Sequence, residues 1–243
     1  MIIKQSLNLA SLIAVVFLAL PPMHAQKGTP EQIAARYQKS CNTGNQLDCI
    51  HLAEAYGAGI GVPKDENKAN ALIQQAASLY QIACEGSDTV ACVKVGDMWC
   101  KYAKAYDSAT PLYRKACDGG NAAGCYKVGR AYAYGLGATQ DNAQAAAFYQ
   151  KACESGNADG CHDLGAMYSL GLNAPVPQDQ AQAIALFRKG CDLGNIDSCT
   201  TLGLIYENGS GVPQSNAQAA LLYRKACTLG DSDSCDKLKK LGK

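Results

Sequence analysis

Cysteine is the residue whose spacing in this chain could do chemistry. Thirteen occur in 243 residues, and twelve form pairs with seven residues between partners: Cys41/Cys49, Cys84/Cys92, Cys117/Cys125, Cys153/Cys161, Cys191/Cys199 and Cys227/Cys235. Thiols paired at a fixed spacing can oxidise to disulfides or ligate a soft metal. Metal binding is the weaker reading, because no Cys-x-x-Cys occurs and only His51 and His162 stand outside the N-terminal leader considered below. Cys100 is the odd thiol, beside Trp99. It reads as a buried structural residue, as a bridge to a second chain in a dimer, or as a reactive centre that has no Cys-x-x-Cys to support redox chemistry.

Acyl transfer is the other chemistry to test. One Ser-x-x-Lys occurs, at Ser234-Cys235-Asp236-Lys237, without the Ser-Asp-Asn and Lys-Thr-Gly elements that accompany it in serine enzymes of that type. Thirteen serines among frequent lysines make one such match expected by chance, so no catalytic residue is assigned. A zinc site would need several converging His and carboxylate ligands, and no such set, nor any P-loop, is visible. No metal or cofactor is implied.

The cysteines must be positioned by short helices. Four residues before each first Cys stands Tyr37, Tyr80, Tyr113, Tyr149, Phe187 or Tyr223, on the same helical face. Three residues after it stands Gly44, Gly120, Gly156, Gly194 or Gly230, with Ser87 the exception, and then Asn or Asp. Glycine ends one helix in the left-handed conformation and the polar residue caps the next. Two cysteines eight apart on one straight helix would be separated by roughly 12 Å, whereas a disulfide needs Cα atoms within about 7 Å. Bonded pairs therefore require the chain to reverse between them, and each copy reads as a disulfide-stapled helical hairpin.

Three, four and seven residues past the second Cys, a further stripe recurs, as in Leu164, Gly165 and Tyr168, whose small member permits close packing. Gly-rich turns follow at Gly59-Ile60-Gly61, Gly135-Leu136-Gly137 and Gly209-Ser210-Gly211. First cysteines step by 43, 33, 36, 38 and 36 residues, a period that means stacked helix pairs. The pattern predicts an all-α chain without strands, with helices over 30–42, 46–58, 65–84, 88–101, 105–118, 122–134, 141–154, 158–170, 179–192, 196–208, 215–228 and 232–241. Three places depart from it. The stretch 64–80 is long, the second hairpin replaces its Gly-x-Gly turn with Tyr102 and Lys104, and a two-residue insertion at 173–177 should form a bulged loop. The Lys-rich end of the sixth hairpin suits a solenoid cap.

Residues 1–25 read as a secretory signal peptide: Lys4, an apolar run from Leu9 to Leu20 too short for a comfortable membrane span, and a cleavage site at Ala25. The remaining 26–243 read as one solenoid domain. Export places the thiols in an oxidising compartment, periplasmic or extracellular, which favours disulfides. Without Lys4 the chain carries 21 basic and 21 acidic residues and no basic run interleaved with aromatics, so neither nucleic-acid binding nor membrane association after cleavage is supported.

The pattern Y-x-K-A-C-x-x-G-N-x-x-x-C-x-x-L-G-x-x-Y-x-x-G-x-G-V, carried by Tyr149 to Tyr168 and its copies, resembles the Sel-one-like repeat family. The paired cysteines and the leader are most similar to its Helicobacter cysteine-rich subgroup. The resemblance implies a right-handed αα superhelix, like tetratricopeptide arrays, with a concave surface and adaptor roles in protein complexes. For the subgroup it also implies penicillin binding or β-lactamase activity, the alternative to a non-catalytic scaffold. Groove residues should vary between copies, as do Ile50/Glu54, Val93/Asp97, Tyr126/Arg130, His162/Ala166 and Thr200/Leu204. Tyr126, Arg130 and His162 are the candidate contacts for a protein or peptide; the alternative is an ordinary solvated helix face.

Non-reducing peptide mapping of the exported protein should return six local pairs with Cys100 outside them. Pairing between hairpins would refute the stapled-hairpin reading.

Overall fold

The computed structural model describes residues 27–171 and 178–241. The leader expected over 1–25 and the insertion at 173–177 lie outside the described residues. Among these, the chain forms twelve α-helices, one π-helical turn and no strand: α1 (Pro30–Asn42), α2 (Gln46–Ala58), α3 (Glu66–Glu85), α4 (Thr89–Met98), the π turn (Trp99–Ala103), α5 (Tyr106–Asp118), α6 (Ala122–Tyr134), α7 (Asn142–Glu154), α8 (Ala158–Leu170), α9 (Gln180–Asp192), α10 (Ile196–Asn208), α11 (Asn216–Thr228) and α12 (Ser232–Leu241). The chain divides into two compact units, Met1–Ala105 and Tyr106–Lys243, and within each every helix packs on its neighbours in sequence. No described helix is long and apolar enough to cross a membrane.

Every helix but α4 begins and ends within one residue of the predicted span. The caps explain the agreement. Asn45, Asn121, Asn157 and Asn195 each accept the backbone N–H three residues on, at 2.7–3.0 Å, opening the second helix of their hairpins. Asp65, Asp141 and Asp179 do the same for first helices. All six predicted disulfides are formed across the reversal, with Cα atoms 4.4–4.8 Å apart. Each closes a short loop, worth roughly 2–3 kcal/mol in the chain-entropy model.

Within the unit Tyr106–Lys243, what joins one hairpin to the next is the aromatic residue. Tyr149, Phe187 and Tyr223 are buried, each lying over a glycine of the preceding hairpin. A Cβ at Gly129 would stand 2.6 Å from the Tyr149 ring, at Gly165 3.0 Å from Phe187, and at Gly203 2.6 Å from Tyr223. The small residue of the stripe is therefore a seat for a ring. The Gly-x-Gly turn folds back on its own hairpin: a Cβ at Gly137 would stand 2.2 Å from the Tyr106 carbonyl oxygen.

The unit Met1–Ala105 holds two of the departures. The extra length before Cys84 is one continuous 20-residue helix, α3, whose buried Ala69, Ile73 and Ala76 pack with Met98 and Tyr102. In place of the expected helix over 88–101, α4 stops at Met98 and runs on as the π turn to Ala103. Lys104 then takes φ +51°, and a linker of Lys104 and Ala105 is all that precedes α5, tighter than a Gly-x-Gly turn as expected. Lys104 and Ser87, at φ +74°, are the positive-φ residues other than glycine among the described residues. Both stand where the repeat pattern has lost its glycine.

An L-residue in this conformation costs about 1–2 kcal/mol, partly offset by the greater freedom glycine has when unfolded. Ser87→Gly should therefore stabilise the protein by about 1 kcal/mol in a denaturant melt. Gly120→Ala, at φ +84° with open space around it, should destabilise by a similar amount.

Candidate functional site

Of the residues that vary between hairpins, Tyr126 and Arg130 lie on α6 and His162 on α8. Arg130 is exposed, and its guanidinium lies between two rings of its own helix, 6.0 Å from the Tyr126 centroid and 5.6 Å from that of Tyr134. One helical turn to either side places both rings on the face that carries the arginine. Arg130 makes no ion pair among the described residues. Other arginines of this unit are engaged internally: Arg114 donates to the Tyr132 hydroxyl and Arg188 to that of Tyr206, both at 2.6 Å. Tyr134 and Leu170, 62% and 66% exposed, stand at equivalent ends of α6 and α8.

Within electrostatic reach of Arg130 is a carboxylate that the sequence reading missed. Asp163, half-buried on α8, lies within electrostatic reach of the Tyr126 hydroxyl, His162 and Arg130. Burial raises its pKa, while His162, the Tyr126 hydroxyl and Arg130 act in the opposite direction. Burial also pushes the Tyr126 and Tyr149 hydroxyls well above the usual phenol range, with the Asp163 charge adding to the effect, so both stay protonated as donors. The signal in the sequence was weak. Two residues past the second Cys stand His51, Lys94, Lys127, Asp163, Thr201 and Lys237, of which only Asp163 is acidic.

Tyr126 and Arg130 are thus brought together, and Tyr126 is less free than a solvated face would be: it is half-buried, 5.7 Å from the Tyr149 ring. His162 joins them only through Asp163. Its own Nδ1 is 3.1 Å from Ser198 Oγ on α10, and its ring is 5.5 Å from Phe187. That pairing belongs to a polar seam between successive second helices. Asn195 donates to Asp159 at 2.7 Å, and the Thr200 hydroxyl is 3.2 Å from Asp231 and 3.0 Å from Ser234.

The seam also settles two possible nucleophiles. Ser198 lies beside a histidine, yet it is 0% exposed and packed so closely on Gly190 that a Cβ there would meet its Oγ at 2.5 Å. Ser234, of the Ser-x-x-Lys match, is likewise 0% exposed and bonded to Thr200, while the Lys237 ammonium lies over the Tyr223 ring at 5.7 Å. Neither serine can meet a substrate without its hairpin opening. In the other unit, His51 packs on Tyr37 at 4.9 Å with Nδ1 3.5 Å from Asp48. Cys100 is half-buried on the π turn, outside the six bridges.

The Sel1 repeat model matches residues 48–88, 122–157, 158–195 and 196–231, more than half of the chain. No curated protein matches. Among solved structures, a Sel1 repeat protein from Oxalobacter formigenes shares the fold with a TM-score of 0.67 at 24% identity, over 86% of this chain and 85% of that one. So does c5321, a protective antigen present in uropathogenic Escherichia coli strains, with 0.60 at 22% identity, over 89% of this chain and 53% of that one. Helicobacter pylori cysteine rich protein B is 32% identical over 56% of this chain and 96% of its own, with a TM-score of 0.45.

The buried carboxylate makes a pH prediction. A carboxyl whose pKa is raised by folding favours the folded state in acid, and that contribution is lost as pH rises through the folded value. Asp163→Asn keeps the size of the side chain and removes the charge. Melts across pH should find the variant more stable than the parent at neutral pH, with the gap closing below about pH 4, the ordinary range for an aspartate.

Proposed function

The chain belongs to the Sel1 repeat family, and from that premise we propose that it is an exported, non-catalytic scaffold that holds a protein or peptide against the face of α6 and α8. Tyr126 and Arg130 are the contacts on that face, with the half-buried Asp163 close to the tyrosine and His162 at the edge, turned to Ser198. The observation that carries this reading is Arg130. It is a charged group oriented by two rings, exposed, without an ion pair among the described residues, and accompanied by exposed apolar side chains at equivalent ends of α6 and α8. Such an arginine can take a carboxylate in a bidentate pair while Tyr134 and Leu170 receive an aliphatic neighbour. The ligand is therefore a peptide segment that presents a carboxylate, from an acidic side chain or a chain end, beside an apolar residue. Six disulfides fit a periplasmic or extracellular site of action.

Catalysis draws no support from the site, since the serines near His162 and Lys237 are both buried. The polar groups at the surface are a guanidinium and phenols, which suit recognition.

The test is a peptide library in which each acidic member has an amide counterpart. Acidic peptides should bind more tightly than their amides, and Arg130→Ala should weaken the selected binders about tenfold or more, equivalent to roughly 1.4 kcal/mol. Arg130→Lys should recover only part of this, because an ammonium lacks the planar fork. Thermal melts of both variants should match the parent. Equal binding of acids and amides would refute the carboxylate assignment, and binders indifferent to Arg130 would move the site elsewhere.

A further inference from the structure

Five of the six bridges are sealed. In Cys41–Cys49, Cys84–Cys92, Cys117–Cys125, Cys153–Cys161 and Cys191–Cys199 no cysteine is more than 7% exposed. In the sixth, Cys227 and Cys235 are both only half-buried. Thiol–disulfide exchange requires a thiolate to reach a sulfur, so access separates this bridge from the others.

The helix it tethers is also the most weakly held of its kind. α12 buries a single residue, Ser234, whereas its counterpart α10 buries Ser198, Cys199, Leu202, Gly203 and Ile205. Polar contacts add to the bridge and to the packing on α11: Ser234, and Asp231 just before the helix, meet the Thr200 hydroxyl, and Lys237 lies over the Tyr223 ring. These are polar, partly solvated interactions worth about 1 kcal/mol each.

We infer that Cys227–Cys235 is a thiol–disulfide exchange site for a dithiol reductant, and that its opening releases α12 while the other five hairpins stay stapled. A thiolate of the reductant attacks one sulfur, forming a mixed disulfide, and the other cysteine leaves as a thiolate that takes up a proton. The second thiol of the reductant then attacks the mixed disulfide and frees the first cysteine. Two electrons have passed to the protein, and the reductant carries the disulfide. Release of α12 uncovers Tyr223 and Ala226, both 0% exposed in the closed form, and leaves the Thr200 hydroxyl without its partners on that helix. The product is a fresh apolar face beside α10.

The test is a timed reduction of the full-length protein by dithiothreitol, quenched by alkylation and read by peptide mass spectrometry, with amide exchange followed in parallel. Cys227 and Cys235 should be alkylated roughly tenfold or more faster than any other pair. Amides of 232–241 should lose protection as they react, while those of α8 and α10 keep it. The double variant Cys227→Ser with Cys235→Ser should show the same loss over 232–241 without reductant. Simultaneous reduction of all six bridges, or earlier labelling of another pair, would overturn the site. Labelling of Cys227 and Cys235 with 232–241 still protected, in the reduced protein or in the double variant, would overturn the release.

Discussion

An aromatic ring lying on a glycine is the contact on which the array depends. A hairpin of two short helices has one apolar face and cannot bury it alone. In the unit Tyr106–Lys243 a ring closes onto the second helix of the hairpin before, at a position where no side chain intervenes: Tyr149 on Gly129, Phe187 on Gly165 and Tyr223 on Gly203. The ring supplies area and the missing Cβ supplies depth, so two backbones come within contact of one flat side chain. A methyl group in any of these seats would overlap the ring or force it aside.

That contact works only if the two helices of a hairpin hold a fixed angle, which is the part played by the disulfides. Each spans a reversal of eight residues, far too local to join hairpins to one another. The division is clean: covalent bonds fix the shape of each element, and non-covalent ring seats and the polar seam of Asp159–Asn195, His162–Ser198 and Thr200–Ser234 order the elements in a row. The serines that might have looked catalytic are part of that ordering.

Most of this was legible because repetition multiplies weak signals. One Gly-Asn pair marks a turn poorly, whereas six copies at the same offset mark caps, reversals and bridges together. The sequence failed where copies stop agreeing. Nothing in Trp99–Ala103 announces a π turn, since its residues suit an α-helix equally well and the packing of Met98 and Tyr102 on the long α3 is not visible in the spacing. The face of α6 and α8 was half legible. Offsets placed Tyr126 and Arg130 together, but helical spacing says nothing of reach between helices, so the turn of His162 toward Ser198 and the place of Asp163 close to Tyr126 could not be read. Position within a repeat predicts a neighbour on the same helix far better than a partner on the next.

The length of α3 carries a further consequence. It has 20 residues where α1, α5, α7, α9 and α11 have 13. Seven residues rotate an α-helix by two turns less only about 20°. The surplus therefore translates one end of α3 along its axis while leaving it nearly in phase. Ala69 and Ala76, seven apart, both face inward, and Cys84 still meets Cys92. A surplus of five would instead have rotated Cys84, and the reversal it staples, by roughly 140° relative to Ala69. Growth by a whole heptad is thus a lengthening that a stapled hairpin tolerates inside its helix.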